Sequence, residues 1–246
     1  MNYKSGFTLA EVLITLGIIG IVAALTIPTL ISKYQERELL TRTKKVYAQI
    51  AGAVDMARAK NSNYIDNSGL FSPQNTSEET MREFSQYFKT VEICKAKADG
   101  CGGRYYYKLM QPISNDGETY AGQYFWDAPR FMTADGAIIA VYQKKACHRV
   151  DIAQKYDENG NAVYENGEPV LYEMIKEDCA SLTVDINGKN GPNQLGRDVY
   201  SIQIWPAKLH CESNRFGGSM QDVIKNNKLP DVEDYEIGGK VPKENE

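Results

Sequence analysis

One carboxylate, Glu11, stands at the head of an apolar run: from Val12 to Ile31 there are twenty residues without a charge. Hydrocarbon solvates a carboxylate poorly, so an acid in such a segment is rare and points to function. Pro28, near the far end of the run, withdraws one helix hydrogen bond and loosens the turn around it. Other residues able to do chemistry are few. Two histidines, His148 and His210, leave little for acid–base or metal work. Neither G-x-S-x-G nor H-E-x-x-H occurs. Cys147 beside His148 is a poor nucleophile–base pair, because neighbours on a strand point to opposite faces.

The stretch from Asp185 through Asn187, Gly188 and Gly191 to Asn193, with Asp198 beyond it, has two readings. Asn-Gly and Gly-Pro steps make turns without any ligand. Alternatively, Asp185, Asn187 and Asp198 supply the hard oxygens that calcium takes. The spacing is not that of an EF-hand, since Asn190 would fill the sixth position and Gly196 the twelfth. The turn reading is favoured. Residues 157–161 read as a hairpin turn only.

Five cysteines are too few for a disulfide-dense scaffold, and none sits in a C-x-x-C pair. Local reach favours Cys94 with Cys101 across a Gly-containing loop, and Cys147 with Cys179 across an insertion, leaving Cys211 over. Four cysteines permit three connectivities, so the pairing is an expectation.

These residues need elements to hold them. A helix of twenty residues spans about 30 Å, the thickness of a bilayer's hydrocarbon core. The run is too long for a signal peptide's apolar region, and no A-x-A-like site follows it. Beyond Ser32 the apolar Leu39, Val46, Tyr47, Ile50, Val54 and Ala57 recur at helical spacing among Arg42, Lys45, Gln49 and Arg58. Residues 7–60 therefore read as one helix of roughly 80 Å, apolar in its first half and amphipathic in its second. Ser77-Glu78-Glu79, followed by Met81, Phe84, Tyr87 and Phe88, reads as a second, capped helix. Then the pattern turns β-like, with strands expected at residues 120–126, 129–133, 137–143, 182–186 and 199–205. Asp135-Gly136 joins the second and third of these as a hairpin turn. Residues 156–172, with Asn159-Gly160 and Asn166-Gly167, read as an inserted hairpin or a tight-turned loop, and residues 228–246 as a loosely held tail.

A net charge of -4 with both signs spread along the chain offers no basic face for nucleic acid. Sixteen tyrosines fit a β-rich extracellular domain without a binding role. Lys4 alone precedes the apolar run, whereas Lys33, Arg37, Arg42, Lys44 and Lys45 follow it. Charge counting alone would put the C-terminal domain in the cytoplasm.

Gly6-Phe7-Thr8-Leu9-Ala10-Glu11-Val12-Leu13-Ile14 resembles the prepilin processing motif of type IV pilins and type II secretion pseudopilins. The resemblance implies that prepilin peptidase cuts between Gly6 and Phe7 and methylates the new amine. It implies an assembly role for Glu11, the fifth residue of the mature chain, and matches the family's helix proline to Pro28. It covers at most the first quarter of the chain, but the motif is specific enough to outweigh the charge count. The implied architecture is α+β: a leader (residues 1–6), a transmembrane helix (7–31), its amphipathic continuation (32–60), a globular domain on a small antiparallel sheet (61–227) and a tail (228–246). The implied function is a structural subunit of a type IV pilus or a type II secretion pseudopilus. It is single-pass in the inner membrane, has its C-terminal domain outside the cytoplasm, and assembles with itself and other pilin-like subunits. In such a compartment structural disulfides are expected. Some pseudopilins hold calcium near their C-terminal strands, which keeps that reading of Asp185, Asn187 and Asp198 open; no other cofactor is expected. The rivals are a minor pilin acting as adhesin or DNA-uptake module, and a membrane-tethered extracellular enzyme.

Overall fold

A computed structural model describes residues 8–60, 67, 69–103, 127–157, 162–188, 190–191, 193–211 and 219–230. The chain divides into two compact units, residues 1–39 and 40–246. One helix, α1 (Leu9–Lys60), belongs to both.

In the first unit α1 is long and apolar enough to cross a membrane, and the side chains of its apolar window are not buried. Leu13, Ile19, Leu25 and Leu30 are each more than half exposed, as expected of a helix whose apolar surface is meant for lipid or another helix. The helix continues through Pro28. Around that residue Thr26 donates its hydroxyl to Val22 O and Thr29 donates to Thr26 O, both at 2.8 Å. Such back-bonding satisfies hydroxyls that hydrocarbon cannot.

The second unit is a six-stranded antiparallel sheet in the order β1-β2-β3-β8-β9-β10. The strands are β1 (Thr90–Cys94), β2 (Arg130–Thr133), β3 (Ile138–Gln143), β8 (Ala180–Asp185), β9 (Val199–Ile204) and β10 (Leu209–Cys211). Registered rows Phe131–Ile139–Val184–Tyr200 and Val141–Leu182–Ile202 are fully buried. In the α1 segment from residue 40 onward, Val46, Ile50, Ala53, Val54 and Ala57 are buried, and Thr43 meets the Tyr200 hydroxyl at 3.3 Å. Helix α2 (Ser77–Ser85) adds Met81 and Phe84, whose ring makes edge-on contacts with Phe71, Phe88 and Phe131. A short α3 (Met220–Asn226) carries buried Met220 and Val223.

Several boundaries differ from the sequence reading. Helix α2 starts from Thr76, which caps it in a reciprocal box with Glu79, and it ends before Tyr87 and Phe88. Strands β2, β3, β8 and β9 lie where expected within one or two residues, and Asp135-Gly136 turns between β2 and β3. The insertion is larger than residues 156–172. It is a ribbon of β4 (Arg149–Gln154) and β7 (Leu171–Lys176), with a small hairpin of β5 (Tyr164–Glu165) and β6 (Glu168–Pro169) beyond it. Asn166 and Gly167, at φ 52° and 83°, make that hairpin's turn, the left-handed pair such a turn needs. Within the expected tail Lys228 is exposed but Leu229 is buried, so the chain is still anchored there. Residues 120–126, the 159–160 step and residues 231–246 lie outside the described residues.

Candidate functional site

Glu11 is the third residue of α1, and Thr8 precedes the helix. The Thr8 N–H and the Thr8 hydroxyl both donate to Glu11 Oε2 at 2.8 Å, while the Glu11 N–H donates back to Thr8 Oγ1 at 3.3 Å. This is a capping box, which satisfies N–H groups that the first helical turn leaves without partners. Its carboxylate also lies at the positive end of the helix. The Thr-x-x-Glu spacing of residues 8–11 is the sequence signal for this box, set here at the edge of an apolar run. Both Thr8 bonds fall on Oε2, so Oε1 keeps its lone pairs for another donor. Gly6 and Phe7 lie outside the described residues.

Cys94 is joined to Cys101 and Cys147 to Cys179, with Cα–Cα distances of 6.1 and 3.9 Å. The second bridge ties the base of the ribbon, where Arg149 also pairs with the buried Asp178 at 2.8 Å. Cys147 is therefore no nucleophile, and it precedes β4 instead of lying on a strand. Cys211 is the one free cysteine; burial pushes its thiol up to about 11, which keeps it protonated and unreactive. Glu92 converges on Cys94 and Cys101, but the disulfide consumes both sulfurs and Glu92 accepts the Cys101 N–H at 2.8 Å. No motif in residues 94–101 marks this small loop as one that encloses a charge. Arg130 is fully buried, and its Nη2 donates to Ala98 O at 2.9 Å and Gly100 O at 3.0 Å.

Asp185 ends β8 and Asp198 precedes β9, so the sheet brings both to one end. Both carboxylates are buried, and Asn187 nearly so. Asp198 Oδ2 accepts the Asn193 N–H at 2.8 Å and Oδ1 the Gln194 N–H at 2.6 Å. Asp185 Oδ1 accepts the Asn187 N–H at 3.1 Å. Asn187 Nδ2 donates to the carbonyls of Asn190 at 2.6 Å and Gly191 at 3.2 Å. Burial raises Asp198 to about 6 against the lowering effect of those N–H bonds. As it stands, the loop closes on itself. Its donor set suits a hard cation in kind, while three of its carboxylate oxygens each already accept an N–H of the loop. Asn187 Oδ1 is buried without a hydrogen bond.

No curated protein and no solved structure matches the chain. Residues 1–27 match the family described as Prokaryotic N-terminal methylation motif. Residues 1–27 thus carry the prepilin-type signal of type IV pilins and pseudopilins, on an α+β fold with a long apolar N-terminal helix.

Proposed function

We propose that the chain is a structural subunit of a type IV pilus or a type II secretion pseudopilus. It is cut after Gly6, methylated on Phe7, and polymerises through α1 without catalysis of its own. The observation that carries this reading is Glu11. It sits at the start of an apolar, unburied helix and binds Thr8 through one carboxylate oxygen only. The second oxygen can take the Phe7 amine of a neighbouring subunit, an ion pair that is strong in a low-dielectric setting and costly when one partner is missing. That pairing fixes axial register as chains leave the lipid. The two disulfides support a C-terminal domain outside the cytoplasm, because thiols stay reduced within it.

Mass spectrometry of the mature protein tests the processing step: the chain should begin at methylated Phe7. Retention of Met1, or a start beyond Ile31, would overturn the assignment. Immunogold labelling of surface filaments separates pilus from pseudopilus. The adhesin, DNA-uptake and tethered-enzyme readings have less support. A hollow beside the Cys147–Cys179 bridge is lined by His148, Glu177, Trp205 and Lys208, but His210 and Lys208 already lie against the Trp205 ring at 4.7 and 4.6 Å.

The loop from Asp185 to Asp198 is read as a self-closing turn. Calcium is its second reading, favoured by the unpartnered Asn187 Oδ1. Binding to the folded state alone would raise the melting temperature with ion concentration. Identical melts in calcium and in chelator leave the turn reading standing.

A further inference from the structure

The β4–β7 ribbon carries an apolar face that nothing among the described residues covers. Val150 stands opposite Ile175, Ile152 opposite Glu173 and Gln154 opposite Leu171, and opposed residues share a face. Val150, Ile152, Leu171 and Ile175 are 53, 66, 56 and 63% exposed. Four such side chains make a patch on the order of 400 Å², within the size range of a monomer's largest apolar patch, which is often functional. The ribbon is rooted by the Cys147–Cys179 bridge and the Arg149–Asp178 pair, so it presents this face from a fixed base.

Charge narrows the occupant. Glu173 lies within the face, and Glu165 and Glu168, both exposed, oppose each other beyond it. Three acids disfavour an anionic lipid surface. Ribbon against ribbon would oppose these acids across a two-fold axis, and such a contact closes into a dimer and cannot propagate. A complementary surface exists elsewhere on the same unit. A groove of about 540 Å³ runs between α1 residues 45–56 and the β2–β3 turn; Ala48, Gly52, Met56 and Phe88 line it, Asp135 in its lining holds Lys45 at 2.8 Å, and Lys89 is the cation left at its rim. A Cβ built on Gly52 meets nothing within 4 Å, and Met56 is 51% exposed, so the groove is open.

We infer that the ribbon's apolar face docks into this groove on a second copy of the chain, its Glu173 meeting Lys89. The contact is heterologous, as a filament requires. It buries about 800 Å² in total, short of the ~1,200 Å² of a stable complex, so it forms between subunits already held together by their helices. The inference rests on the filament reading.

Co-expression of two full-length chains tests it, one Ile152→Cys and the other Met56→Cys, each with its own epitope tag. Filaments sheared from these cells and mildly oxidised should yield a mixed dimer bearing both tags. Adding Gly52→Leu to the Met56→Cys chain fills the groove with a better helix former, and the mixed dimer should be lost while the melting temperature holds. Filaments that contain both chains but no mixed dimer would overturn the docking and leave the filament reading intact. Dimers of Ile152→Cys chains alone would overturn it in favour of ribbon against ribbon. Absence of the wild-type chain from any filament would overturn the filament reading, and this inference with it.

Discussion

Thr8 and Thr76 cap their helices in the same way. Each gives its N–H and its hydroxyl to Oε2 of the glutamate three residues on, at 2.8 Å, and each receives that glutamate's N–H, at 3.3 and 3.2 Å. Beyond the box the two helices part. After Glu79 come Met81 and Phe84, buried in the aromatic core, and water surrounds the carboxylate. After Glu11 comes a surface of exposed leucine and isoleucine fit for hydrocarbon. Water solvates whatever the cap leaves over at Glu79, whereas lipid does not at Glu11. Identical local geometry thus completes the work of one glutamate and leaves the other in need of a second donor.

The sharpest way to break this comparison is to delete each acid. Glu11→Val should insert and be cleaved, yet filament yield should fall by about tenfold or more, in keeping with the cost of leaving a partner charge unmatched. Glu79→Val should leave filament yield unchanged. Equal yields from both variants, measured in sheared fractions from cells lacking the wild-type chain, would erase the distinction. Glu11→Gln should give an intermediate yield, since it keeps the Thr8 bonds and loses the charge. Smaller still are the threonines. Thr76→Ala should cost about 1 kcal/mol of stability in a denaturant melt, and Thr8→Ala should spare filaments better than Glu11→Val does. The smallest effect is on pH. The Thr76 N–H, and then its hydroxyl, hold Glu79 below its ordinary range. Its contribution is therefore whole above the unfolded carboxylate's pKa and fades as pH falls through the lowered folded value. The protection of the Glu79 amide, its exchange rate set against that of an unstructured chain at the same pH, should fall there in the wild type and not in Thr76→Ala.

Much of this was readable in the chain. Composition alone marks α1, because twenty uncharged residues leave few alternatives, and Asp135-Gly136 and Asn166-Gly167 mark hairpins through their left-handed preference. What escaped was decided by tertiary contact. Strand β1 is a short edge strand with a register shift between Thr90 and Glu92, and β10 has three residues, so neither offers enough alternation to read. Strands β4 and β7 mix apolar and charged residues without a buried face to explain them. Nothing in residues 94–101 announces that they close around Arg130.

That enclosure bears on the order of events in the cell. Arg130 reaches its carbonyl acceptors only when residues 95–100 curl back, and the Cys94–Cys101 bond holds that curl. Until the bond forms, a buried guanidinium lacks its full set of acceptors, a costly state for a charge. On the proposed topology the domain lies outside the cytoplasm, and oxidation follows translocation. Maturation of this sheet edge is then timed by export, so a newly made chain stays soft at β1 and β2 while it is threaded and hardens once it has arrived.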